Sequence, residues 1–174
     1  MKVWHYAPWA HLPAIVESGK LKCGNAGAAG ELPMLWFSAN QQWEPTATKM
    51  LTNKAGAMFS LTFKQQAEFF GCIRFGLAVA DPRLLKWKDA CTAAGTPREV
   101  RRKLEKMGKK IGGDPAHWFA SAAIIPLSEL HFQVWHEGWH DAPSPQDKAE
   151  EWTKAHANRV CASASRFAVS SITS

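Results

Sequence analysis

The sequence predicts an α+β domain, a mixed or antiparallel β-sheet flanked by helices, and three observations carry that prediction. Ile73, Phe75, Leu77 and Val79 alternate with Arg74, Gly76 and Ala78, the period of a strand with one buried face. Thr96 to Ile111 has helical punctuation, with Thr96 as N-cap, Pro97 at the first position, Glu99 completing a capping box and Gly112-Gly113 as the stop. Leu130, Phe132 and Val134 alternate again and run into Glu137-Gly138, where Trp139 begins the return strand of a hairpin. No repeat and no linker divides the chain, so residues 1–161 form a single globular domain and 162–174 a Ser/Ala-rich tail.

Taken in order, Val3-Trp4-His5-Tyr6 is a first strand, left at Ala7-Pro8 for a short helix. Trp9, Leu12, Ile15 and Val16 share one face of that helix, and Gly19 ends it. Cys23 to Glu31 is a Gly/Ala-rich loop suited to border a site. The organising stretch is Met34 to Met50. Met34 to Ser38 reads as a buried strand ending in a polar turn, and Pro45 opens a helical turn continued by Thr46 to Leu51. Trp36 and Trp43 flank Ser38, Asn40, Gln41, Gln42 and Glu44, so flat aromatic surface lies beside directional polar groups.

Further on, Ala57 to Phe63 is strand-like, and Asp81-Pro82 opens a helical turn with Leu84, Leu85 and Trp87. In the helix at Thr96 to Ile111 only Val100, Leu104, Met107 and Ile111 are apolar. Their spacing of four, three and four predicts one narrow stripe packed inward. Arg98, Arg101, Arg102, Lys103, Lys106, Lys109 and Lys110 cover the rest, a solvated face or a phosphate-binding one. Ser144-Pro145-Gln146-Asp147 opens a C-terminal helix that carries Trp152 to about Val160.

Composition bounds the function. An apolar share of 46% with 21% charged residues belongs to a globular protein, and no apolar run approaches the roughly 20 residues of a membrane span. Met1-Lys2-Val3-Trp4-His5 is no signal peptide, so a cytoplasmic setting is expected. Cys23, Cys72, Cys91 and Cys161 lack CxxC spacing and are expected as reduced thiols. A net charge of +6 and a pI near 9.3 favour an anionic partner, nucleic acid or a phosphate-rich cofactor. Walker loops, GxGxxG and nucleophile elbows are absent from the sequence.

His136-Glu137-Gly138-Trp139-His140 spells the zinc peptidase signature HExxH, which works on a helix that stacks its histidines one turn apart. Here the preceding residues alternate as a strand, Gly138 interrupts, and Pro143 and Pro145 follow, so the motif reads as a hairpin tip and no metal is expected. A zinc hydrolase on His136 and His140 stays as a remote alternative.

The N-terminal third resembles the opening of small ADP-ribosyltransferase-like domains, including the DNA-targeting thymidine ADP-ribosyltransferase toxins and related phage and bacterial proteins. The resemblance rests on Trp4-His5-Tyr6, on Leu12 to Leu21 and on Leu35-Trp36-Phe37-Ser38. It implies a split sheet forming a cleft, with NAD as substrate. By the same resemblance His5 and Tyr6 hold the nicotinamide-side ribose, while Trp36, Phe37 and Ser38 line the nicotinamide pocket and Asn40 completes the cleft. Arg74 would pair with the pyrophosphate, and Glu44 or Glu129 would be the acid that meets the oxocarbenium-like charge. The match departs at Ala7, where a threonine is common, and in lacking a matching catalytic acid in the last third, where His117 stands just before Trp118 in a place an acid could occupy. The function expected is transfer of ADP-ribose from NAD to a nucleic acid or protein. The alternative is a basic binding module of the same fold, meeting nucleic acid or an acidic partner through Arg98, Arg101, Arg102 and Lys106.

Overall fold

The computed structural model describes residues 1–24, 30–48, 50–52 and 56–155. In chain order the strands are β1 (Lys2–Ala7), β2 (Lys20–Leu21), β3 (Leu35–Ser38), β4 (Met50–Thr52), β5 (Met58–Ser60), β6 (Ile73–Ala78), β7 (Leu85–Lys86), β8 (Trp118–Ser121), β9 (Ile125–Pro126), β10 (His131–Trp135) and β11 (Trp139–Asp141). The helices are α1 (Leu12–Ser18), α2 (Phe63–Phe70), α3 (Trp87–Ala94), α4 (Arg98–Lys110) and α5, described over 145–155. Seven strands form one sheet in the order β11-β10-β6-β1-β3-β8-β7, and β2-β9 and β4-β5 form two small ribbons. Every pairing between these strands is antiparallel. The fold is therefore α+β with an antiparallel sheet, and its seven main strands are continuous.

Register decides what each face carries. Trp4 pairs with Ser38 and Gly76, and Tyr6 with Arg74. Since side chains alternate along a strand, the even-numbered positions of β1, β3, β6 and β8 share one face. The odd face is the main core, where Val3, Phe37, Ile73, Phe75, Leu77, Phe119 and Phe132 are buried together with Leu12 of α1 and Ala149 of α5. Phe75 and Phe132, opposite each other on β6 and β10, stack with centroids 5.1 Å apart. On the even face α3 sets Ala90 and Ala94 against Ala120, small side chains that let the helix approach closely. Gly76 is needed on that face because a Cβ there would stand 2.6 Å from Trp4.

Several expectations meet the structure directly. β1, β3, β6 and the β10–β11 hairpin lie where the sequence pattern places them, and Gly19 ends α1 with φ 65°. Three stretches differ. Thr46 to Leu51 is not a helix: a 3-10 turn at Pro45–Ala47 stops at Thr48, which is extended, and Met50 enters β4. The strand expected from Ala57 to Phe63 shrinks to β5, because Thr62 and Gln65 form a capping box that starts α2 at Phe63. Leu84 and Leu85 are not helical with Trp87; β7 intervenes and α3 begins at Trp87. The end of the C-terminal helix, the 162–174 tail and Cys161 lie outside the described residues.

The largest correction concerns α4. Its N-cap residue is Pro97, not Thr96, and no side chain caps it. The apolar stripe also faces outward, from Val100 at 38% exposed and Leu104 at 42% to Ile111 at 59% and Met107 at 64%. The seam against the body is made instead by Arg101, Glu105 and Gly108. Trp87 Nε1 donates to Glu105 Oε1 at 2.7 Å, Arg101 Nε lies 3.5 Å from the same oxygen, and Gly108 receives the Trp118 ring. A Cβ on Gly108 would meet Trp118 Cη2 at 2.4 Å. Helix propensity alone favours Gly108→Ala by about 1 kcal/mol. The clash reverses the sign, and a net loss of about 1 to 3 kcal/mol in urea unfolding is expected.

Candidate functional site

Three side chains from three strands converge on one short stretch of backbone. Tyr6 of β1 donates its hydroxyl to Asn40 O at 3.0 Å, Arg74 of β6 donates Nη1 to Gln41 O at 2.7 Å, and Trp139 of β11 donates Nε1 to Gln42 O at 2.6 Å. Three consecutive carbonyls are thereby satisfied. Gln41 works in the other direction: its Oε1 accepts from Trp4 Nε1 at 3.0 Å, and its Nε2 donates to Lys2 O and Ala39 O. Asn40 Oδ1 accepts from the backbone N–H groups of Gln42 and Trp43, which turns the chain there.

Arg74 is the centre of this arrangement and is only 4% exposed. Its guanidinium lies 3.9 Å from the Trp4 ring centroid and 4.1 Å from that of Trp139, and Nε donates to Gln133 Oε1 at 2.7 Å. Burial pulls its pKa below the usual arginine value, an effect opposed by Tyr6. The two ring faces supply part of the stabilisation that water would give a cation. Around it, Tyr6 meets Trp43 edge-on at 4.8 Å, Trp43 stacks on Phe63 at 4.2 Å, and Trp135 packs edge-on against Phe63 and Trp139.

Beside this nest Glu44 is 4% exposed. Ser38 Oγ donates to its Oε2 at 2.7 Å, while Thr46 N and Oγ1 donate to its Oε1 at 3.2 and 2.7 Å. The carboxylate thus acts as the cap of the Pro45–Ala47 turn and as an anchor for β3. Tyr6, Ser38, Asn40, Glu44 and Arg74 are gathered in one neighbourhood, and Trp36 shares the even face with them.

The remaining sequence candidates lie elsewhere. His5 and Phe37 occupy the odd face, where their rings meet at 5.9 Å, and His5 Nδ1 lies 2.9 Å from Trp36 O. His5 and Ser38 therefore do not line a common crevice. Glu129 belongs to a 3-10 turn before β10 and pairs with Arg83 at 2.7 Å; Arg83 also forks onto Asp81. That clamp holds Asp81 below the usual carboxylate range through the Arg83 hydrogen bond. His136 and His140 sit on the β10–β11 hairpin, with His140 Nε2 2.8 Å from His136 O, so they are not presented one helical turn apart. Among the described residues no three His, Cys, Asp or Glu side chains gather as a metal site. Cys23, Cys72 and Cys91 are free thiols, and no described helix is long and apolar enough to cross a membrane.

Two features escaped the sequence reading. One is an edge group in which Asp141 Oδ1 takes hydrogen bonds from His131 Nε2 at 2.6 Å and Gln133 Nε2 at 2.8 Å. The bonds from Gln133 and His131 lower the pKa of Asp141. The other is the shape around α4. Arg98, Arg102, Lys103, Lys106, Lys109 and Lys110 are exposed on it. An open cavity of about 470 Å³ is lined by Lys88, Thr92, Gly95, Thr96, Arg98 and Arg101, and a second of about 530 Å³ by Arg102, Glu105, Lys106, Lys109 and Lys110. The basic run in the sequence located the charge, and the first concavity lies where α3 meets α4.

Tyr6 is the chain's one tyrosine, so tyrosinate absorbance reports it alone. Burial pushes its hydroxyl up from 10.0 to about 12, with Arg74 opposing and the Glu44 carboxylate adding to the rise. Between those two values the unfolded chain has released a proton that the folded chain still holds. Stability therefore falls as pH rises from 10 to about 12. Relative to Tyr6→Phe, the native protein should lose on the order of 2 kcal/mol across that window in urea titrations. Comparison with protein-family models, curated proteins and solved structures finds no match in any of the three.

Proposed function

We propose that the chain is a binding module for nucleic acid, acting through α4. One observation carries the reading: α4 holds seven basic side chains and two acidic ones, a net of +5 by difference, against +6 for all 174 residues. Thirteen helical residues extend roughly 20 Å. That length runs beside about six phosphates of one strand at roughly 3.4 Å spacing. The contact is to backbone charge, which positions a protein on nucleic acid without selecting a sequence. A cytoplasmic setting with reduced Cys23, Cys72 and Cys91 accords with this role.

Affinity for a mixed-sequence duplex should fall by two to three orders of magnitude between about 50 and 200 mM salt, as release of about five counterions requires. Arg102→Glu with Lys106→Glu should weaken binding more than about tenfold and flatten the salt dependence. Unchanged affinity in that double variant, read by fluorescence anisotropy, removes the proposal.

A second reading is NAD-dependent ADP-ribosyl transfer, and the convergence of Tyr6, Ser38, Asn40, Glu44 and Arg74 favours it. For that chemistry Arg74 must release Gln41 O and Gln133 to reach a pyrophosphate, and Glu44 must meet the charge developing on ribose, Glu129 being held away by Arg83. His5, on the opposite face, takes no part. This reading expects NAD to raise the melting temperature and to be hydrolysed, with hydrolysis lost in Glu44→Gln. A protein that neither shifts with NAD nor consumes it has no such activity.

A further inference from the structure

The cavity between the end of α3 and the first turn of α4 has features that a strongly charged helix alone does not explain. α3 closes at Gly95 with φ 78°, and Thr96 N returns to Cys91 O at 2.9 Å. This tight turn brings Arg98 and Arg101 of α4 beside Lys88 and Thr92, one helical turn apart on α3, around about 470 Å³. Ligand sites for small molecules begin at roughly 300 Å³, so the space suits more than a bare ion.

Its electrostatics are unbalanced. Among the described residues neither Lys88 nor Arg98 is paired with a carboxylate. Arg101 Nε makes no hydrogen bond and reaches only an ion pair, 3.5 Å from Glu105 Oε1, the oxygen that also receives Trp87 Nε1. The amides of the first turn of α4 have no side-chain cap. Thr92 contributes shape only, its hydroxyl proton being given to Lys88 O at 3.0 Å.

We infer that this cavity binds a phosphomonoester, the terminal phosphate of a nucleic-acid strand or of a nucleotide. The inference deepens the nucleic-acid reading and rests on it. An internal phosphodiester carries one negative charge, whereas a phosphomonoester carries about −1.5 to −2 at neutral pH and offers three acceptor oxygens. Lys88 and Arg98 match the larger charge, Arg101 being ion-paired with Glu105, and arginine forks bond two phosphate oxygens at once. A concavity open on one side also takes a strand's end more readily than its middle.

The test compares one single-stranded oligonucleotide with a 5′-phosphate and with a 5′-hydroxyl at fixed salt, alongside a nucleoside 5′-monophosphate. The phosphorylated strand should bind about tenfold tighter, as charge-assisted bonds imply. Lys88→Gln with Arg98→Gln should abolish that advantage, while Lys109→Gln with Lys110→Gln, at the far end of α4, should keep it. If the monophosphate alone shifts the amide resonances of Gly95 and Thr96, the free nucleotide is also a ligand. Salt-dependent binding that ignores the 5′-phosphate overturns the cavity assignment and leaves the broader reading intact. Failure of both strands and the monophosphate to bind overturns both.

Discussion

The even face of the sheet depends on the capture of three successive carbonyls, at Asn40, Gln41 and Gln42, by a phenol, a guanidinium and an indole from three strands. The bonds to Asn40 and Gln41 are partly buried, where an unsatisfied carbonyl costs up to about 1 to 3 kcal/mol, and the bond to Gln42 is exposed. Here Tyr6, Arg74 and Trp139 meet that need, and Glu44 secures the exit through Ser38 and Thr46. The cation between the two tryptophans thus couples sheet, loop and hairpin. It also explains why residues suited to holding a ligand are occupied by their own chain.

How much of this was legible depends on which constraint set each element. Strict alternation at Ile73 to Val79 and Leu130 to Val134 reported a buried face directly, so β6 and β10 were readable. The start of α2 was also written in Thr62 and Gln65, but Ala57 to Phe63 looked strand-like and masked it. Register was not readable. Which of His5 or Tyr6 shares a face with Ser38 depends on whether the pairing of β1 and β3 falls on an even or an odd offset. That is settled by the pairing of Trp4 with Ser38, far apart in sequence.

α4 shows the opposite limit. Periodicity found its apolar stripe correctly but not the direction it faces, because the body offers that helix a partner that is not simply greasy. Trp87 needs an acceptor for its N–H, Glu105 provides one, and Trp118 needs a flat seat, which Gly108 leaves open. Two indoles thus turn the helix so that Val100, Leu104, Met107 and Ile111 face outward. The helix that carries nearly all the net charge also presents apolar side chains.

The same indoles connect α4 optically to the sheet. Trp36, Trp87 and Trp118 form a ladder with ring centroids 5.4 and 5.0 Å apart, and its middle rung is hydrogen-bonded to Glu105. Excitation shared along such a ladder is sensitive to small rotations of any rung, so displacement of α4 from its seat registers in the chain's own near-ultraviolet spectrum. The protein carries a built-in gauge of that helix, with no label attached.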